Sequence, residues 1–126
     1  MVILDTNALL RYVLGDIPDQ AETAAGAVQE GCITTTEIIA EVVYVLQSVY
    51  KVSREDISWT VHCILLDVKA ENVKTLRYAM GVFDQTNLDF VDCLLVAYKK
   101  VLGLDVLSFD KKLNSAITRG FEIFQT

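Results

Sequence analysis

Proline, histidine and tryptophan each occur once in these 126 residues, and no stretch is dominated by glycine, serine or proline. A chain so short of breakers and linkers is not low-complexity or disordered, and its length fits one compact domain, expected to span residues 1–126. The lone histidine, His62, lies among Val61, Cys63, Ile64 and Leu65. It reads as a partly buried structural side chain, and neither a histidine pair nor a Ser-His-Asp mechanism can be assembled around it. Three cysteines, Cys32, Cys63 and Cys93, are odd in number, widely spaced and flanked by aliphatic residues, which suits buried reduced thiols rather than disulfides or a zinc site. A glycine-rich phosphate loop is absent, so nucleoside triphosphate binding has no support. No apolar run approaches the roughly 18 residues that span a bilayer. The opening MVILDTNALLRYVLGD lacks a basic n-region and carries Asp5 in its first apolar run, so a soluble, cytoplasmic protein is expected. The net charge of −6 excludes a basic nucleic-acid coat but not an enzyme acting on nucleic acid.

Hydrophobic residues make up 52% of the chain, enough for a packed core. Val2-Ile3-Leu4 is a short apolar run ending at Asp5-Thr6-Asn7, followed by a helical pattern that Gly15 stops. Asp19 to Glu30, closed by Gly31, reads as a second helix, and Cys32-Ile33-Thr34 as a short strand. Thr35 or Thr36 can cap a long helix to about Tyr50, with an apolar stripe through Ile38, Ile39, Val42, Val45, Leu46 and Val49. Ser53 caps the next helix, a further one spans about Asn72 to Val82, and Asp89 to Leu102 carries acids at its start and Lys99-Lys100 at its end. Val106 to Phe109 is expected as a buried strand reaching Asp110, and Phe121 to Phe124 as a final strand. Strands separated by helices imply an α/β fold with a mostly parallel sheet covered by helices.

In such folds ligands bind beyond the carboxyl ends of the strands, where Asp5 and Asp110 are expected. Glu41 lies on an otherwise aliphatic helix and Asp92 inside Phe90-Val91-Asp92-Cys93-Leu94-Leu95, both costly without a partner. If the four converge on one pocket, two carboxylates about 4 Å apart repel by about 4 kcal/mol at an effective dielectric near 20, which protonation or cations must relieve. Hard oxygen ligands select Mg²⁺ or Mn²⁺, and such a site suits phosphodiester hydrolysis. Set aside as ligands, the four leave 11 positive side chains facing 13 acidic ones, so much of the acidity belongs to the site. Taken singly, Asp5 and Asp110 also read as turn or cap residues, Asp92 as a first-turn acid and Glu41 as the partner of a buried cation. Glu37 and Asp89 read as helix-start acids.

VILDTNALLRYVL, EIIAEVVYVLQSVYKVSREDI, LDFVDCLLVA and VLSFDKKLN occur in an order and spacing that resembles the PIN-domain ribonucleases, most closely the VapC-type toxins of toxin–antitoxin pairs. The resemblance covers essentially the whole chain and implies an α/β/α sandwich with an acidic quartet at Asp5, Glu41, Asp92 and Asp110. It further implies Mg²⁺- or Mn²⁺-dependent endoribonuclease activity with metal-activated water as nucleophile. Thr6, Asn7 and Ser108 would orient ligands or water, serine standing where threonine is common in the family. A homodimer and an inhibiting antitoxin protein are the implied partners, with Tyr12, Val13, Tyr44 and Trp59 available to such surfaces, although core packing is the default for each. Lys99-Lys100, Lys111-Lys112, Arg11, Lys51 and Arg54 are candidate phosphate contacts and equally well solvated surface. Two other readings stay open: a PIN-like fold that binds RNA or protein without cutting, and an aspartate-nucleophile phosphatase, whose usual second carboxylate two residues on is here Asn7.

Overall fold

A computed structural model describes residues 1–123 of the chain, which divides into two compact units, Met1–Glu71 and Asn72–Thr126. In the first unit Val2–Ile3 (β1), Cys32–Thr34 (β2) and Lys69–Ala70 (β3) form a parallel sheet in the order β1-β2-β3. Val2 pairs with Cys32 and Ile3 with Ile33, then Ile33 with Lys69 and Thr34 with Ala70. The crossovers are helices, as a parallel ladder demands: Thr6–Leu14 (α1) and Pro18–Glu30 (α2) join β1 to β2, and Thr36–Ser48 (α3) and Arg54–Asp67 (α4) join β2 to β3.

Local chemistry sets these boundaries. Asp5 caps α1 by accepting from the Ala8 N–H at 2.9 Å, and Gly15, at φ +62°, ends it in the left-handed conformation that costs glycine least. The Thr35 and Ser53 hydroxyls accept from the Ile38 and Asp56 N–H groups, each at 3.2 Å, at the starts of α3 and α4. The β-branched α3 is a helix because its apolar side chains repeat every third or fourth residue, and Ile39, Val42, Val43 and Leu46 are buried. The strand at Lys69–Ala70 has no apolar alternation, which is why the sequence does not announce it.

The second unit is helical: Val73–Gln85 (α5), Phe90–Leu102 (α6) and Lys111–Thr118 (α7). α5 and α6 bury Leu76, Met80, Phe83, Cys93 and Val96, and the Phe83 and Phe90 rings meet edge to face at 6.2 Å. Two expected strands are corrected here. Residues 106–109 form no strand, and Leu107 and Phe109 are 89% and 94% exposed. Ser108 is engaged instead in the turn that starts α7: its Oγ accepts from the Asp110 N–H at 3.0 Å and its carbonyl from Asn114 Nδ2 at 2.8 Å. Residues 121–123 are not a strand either; Phe124 lies outside the described residues. Gln85 occupies their backbone, donating to the Glu122 carbonyl at 2.6 Å and accepting from the Glu122 N–H at 3.3 Å. This segment passes so close to α5 that a Cβ on Gly81 would stand 2.5 Å from Ile123 Cδ1.

Of the three cysteines, Cys32 and Cys93 are buried, as expected, and Cys63 is half-buried. His62 is buried. Among the described residues no helix is long and apolar enough to cross a membrane.

Candidate functional site

Asp5 stands where β1 gives way to α1, at the carboxyl end of a parallel strand. Its Oδ1 is committed to the helix cap. A carboxylate has about four lone-pair sites on its two oxygens, so capping and ligation are compatible. Next to it, Thr6 Oγ1 donates to Glu41 Oε2 at 2.5 Å, tying the start of α1 to the second turn of α3 and fixing the Glu41 carboxylate. Glu41 is solvent-exposed, which corrects the premise that it is a costly buried charge: the aliphatic stripe of α3 turns away from it, through Val42 and Val43. Asn7 is exposed on the first turn of α1. Thr34, at the carboxyl end of β2, is 2% exposed, and its hydroxyl has no hydrogen-bond partner among the described residues.

In the second unit Asp92 is half-buried in the first turn of α6. Burial pushes its carboxyl above the ordinary aspartate range, and the like charges of Asp110 and then Asp89 push it further the same way. Asp89 holds the N-cap position of α6 without a side-chain capping hydrogen bond. Asp110 is not a strand end as expected but the N-cap of α7, with Oδ1 accepting from the Leu113 N–H at 3.1 Å. Ser108 supports that turn, holding the Asp110 backbone through its hydroxyl.

The structure thus couples Thr6 to Glu41 within the first unit and sets Asp89, Asp92 and Asp110 against one another electrostatically within the second. Among the described residues no group of three or more His, Cys, Asp or Glu side chains forms a ready metal cage. Such a cage is not what Mg²⁺ asks for, since it keeps several waters and takes one or two carboxylates plus substrate phosphate. The donors present, carboxylate and hydroxyl oxygens, are of the hard class that Mg²⁺ and Mn²⁺ prefer.

Sequence reasoning missed α7 altogether, and with it the clustering of Lys111, Lys112, Ser115 and Arg119. The signal was an Asp110 cap followed by Leu113 and Ala116, both buried, at helical spacing. It also took Tyr44 and Trp59 as core by default, whereas they are 67% and 61% exposed.

These features define an α/β protein with acidic side chains at a strand end and at helix starts, and the chain belongs to the PIN domain family, whose pattern matches residues 2–117. Among curated proteins it is 31% identical over 121 residues to the VapC ribonuclease of Aquifex aeolicus (strain VF5), covering 89% of each chain. No solved structure matches.

The Thr6 hydrogen bond gives a direct test of how Glu41 is held. Thr6→Val removes the donor and keeps the shape; if the carboxylate it holds is the metal ligand that the family resemblance implies, groups in this position typically contribute 10–100-fold. Nuclease turnover is expected to fall by about that factor with the melting temperature nearly unchanged. An equal loss in Thr6→Ser, which keeps the hydroxyl, would show that the hydrogen bond is not what matters.

Proposed function

We propose that the chain is a divalent-metal-dependent endoribonuclease, the toxin component of a toxin–antitoxin pair, with Asp5, Glu41, Asp92 and Asp110 supplying carboxylate oxygens to Mg²⁺ or Mn²⁺. The observation that carries the reading is the position of Asp92, half-buried in the first turn of α6, where burial and then the like charges of Asp110 and Asp89 disfavour its ionised form. Carboxylates so arranged are stabilised by a bound divalent cation. Family membership and the VapC ribonuclease relative support the choice of RNA as substrate.

When bound, the metal would supply Lewis-acid stabilisation of charge on the phosphate and a lowered pKa for water. The chain's own groups have separable tasks. The Thr6 hydroxyl holds Glu41 Oε2 in one orientation. Asp5 and Asp110 are positioned by the helix N–H groups they cap, so their carboxylates need little reorganisation. Asp92, with raised proton affinity, is the member best suited to carry a proton when the metal is absent. We read residues 1–126 as acting as one functional domain in a cytoplasmic protein. The exposed Tyr44 and Trp59 support a homodimer or antitoxin contact on the first unit.

The test is cleavage of pooled cellular RNA by the pure protein. Fragments are expected with Mn²⁺ or Mg²⁺ and none with excess chelator, and Asp5→Asn is expected to cut at least about a hundredfold more slowly, a loss of about 2.7 kcal/mol of transition-state stabilisation. Cleavage that survives the chelator would sink the metal role. RNA retained but never cut would favour the non-catalytic binding module.

A further inference from the structure

The chain's charge is unevenly divided. Residues 1–71 hold four of the 11 Lys and Arg and 11 of the 17 Asp and Glu, a net −7, whereas residues 72–126 hold seven and six, a net +1. Within the second unit a cleft of about 420 Å³ lies between the α5–α6 connection and α7. Lys111, Lys112, Ser115 and Arg119 form one side of it, Thr86 and Asn87 the other, and none of its lining residues is acidic. Lys111, Ser115 and Arg119 recur every four residues and so share a face of α7 and its cap.

Arg119 is also pre-organised. Its guanidinium stacks at 4.7 Å over the Phe121 ring, which in turn meets Tyr78 edge to face at 6.4 Å. Stacking uses the face of the guanidinium and leaves its N–H edge for an anion. From Lys111 to Arg119 the cations spread over about 12 Å of helix, a strip suited to successive phosphates of a strand rather than to one small anion.

We infer that this cleft is the binding track for the sugar–phosphate backbone of single-stranded RNA, with Lys111, Lys112 and Arg119 as the phosphate contacts. The choice of RNA rests on the nuclease reading. The cleft flanks that chemistry in the chain: Lys111 follows Asp110 directly, and Thr86 and Asn87 lead into the helix that carries Asp92. Contacts of this kind set affinity and register without reading sequence.

Binding is measured with chelator present, so that no cleavage is needed, by fluorescence anisotropy of a labelled RNA of about 12 nucleotides, a length within ordinary single-strand site sizes. Each phosphate contact contributes about −0.7 to the slope of log affinity against log salt for single strands. Lys111→Gln/Lys112→Gln is therefore expected to weaken binding at least about tenfold near 0.1 M salt and to flatten the slope by about 1.4. Arg119→Gln is expected to weaken it further. Lys69→Gln/Lys74→Gln makes the same charge change at two exposed lysines outside the cleft and should alter affinity less than about twofold, as should Lys111→Arg/Lys112→Arg, which keeps the charge. Equal losses in the two glutamine pairs, an unchanged slope, or weakened binding in the arginine pair would overturn the assignment. So would variants that keep RNA affinity while losing an acidic peptide, which would make the cleft a protein site. Cleft-dependent binding by a protein that cuts no RNA with Mn²⁺ would support the cleft and sink the nuclease reading.

Discussion

On the proposed function, Asp92→Asn is expected to lower RNA cleavage with Mn²⁺ by at least about a thousandfold and, in the same protein without metal, to raise the melting temperature. The two effects have one origin. A carboxylate held near a cation at an effective dielectric near 20 is worth about 4 kcal/mol, and losing that in the transition state corresponds to about three orders of magnitude in rate. Without the cation the same charge is a liability, because burial and the like charges of Asp110 and Asp89 raise the Asp92 pKa. The sign follows from linkage. Between the unfolded and the raised folded pKa the native state binds more protons than the unfolded one, so stability falls as pH rises through that window and the penalty is complete above it. Asparagine removes the penalty at neutral pH. Near-surface charge contacts are worth up to about 1 kcal/mol, so the rise is up to about 4 °C in a domain of this size. Thermal unfolding in chelator at pH 7 and near pH 4 checks this: the gain should shrink at the lower pH. A drop in melting temperature at pH 7 would mean that structural hydrogen bonds hold Asp92.

Phe83→Ala is expected to lower the melting temperature by about 10 °C or more. Phe83 is fully buried on α5 and packs edge to face on Phe90 of α6. Truncating a buried phenylalanine typically costs 3–5 kcal/mol, against a total stability of about 5–15 kcal/mol for a small domain. Phe83→Leu keeps most of the volume and should cost less than half as much. Urea unfolding separates the outcomes, since a shifted midpoint with unchanged slope is loss of packing. A fall of only a few degrees for alanine would mean that the α5–α6 contact closes around the gap.

Most of the helices were legible because their signals are local. Caps at Asp5, Thr35 and Ser53 and stops at Gly15 and Gly103 each act within one turn, and each forms where its residue type implies. That residues 106–109 form no strand was not legible, because an apolar run such as Val106 to Phe109 is a strand only if a partner supplies its ladder. Ser108 spends its groups on the cap of α7 instead. Of the candidate site, Asp5 at a strand end and Asp92 in a first helical turn were readable from local pattern, whereas the Thr6–Glu41 hydrogen bond joins α1 to α3 across 35 residues and no local signal announces it. The exposure of Glu41 was not: a helix dense in valine and isoleucine hides which side of it faces water. The basic cleft needed α7 to exist before Lys111, Ser115 and Arg119 could be seen on one side.

The all-parallel sheet carries a consequence for the order of assembly. Its ladders join Val2 to Cys32 and Ile33 to Lys69, pairs separated by a whole two-helix crossover each, whereas α5 and α6 are neighbours across a four-residue connection. Closing a long loop costs chain entropy before any contact rewards it, so the helical hairpin of the second half is the cheap, early step and the sheet the slow one. During synthesis the first half emerges earlier yet cannot complete its ladder until residue 70 has left the ribosome, leaving the edge of β2 that β3 later takes, at Ile33 and Thr34, in the meantime open to wrong partners.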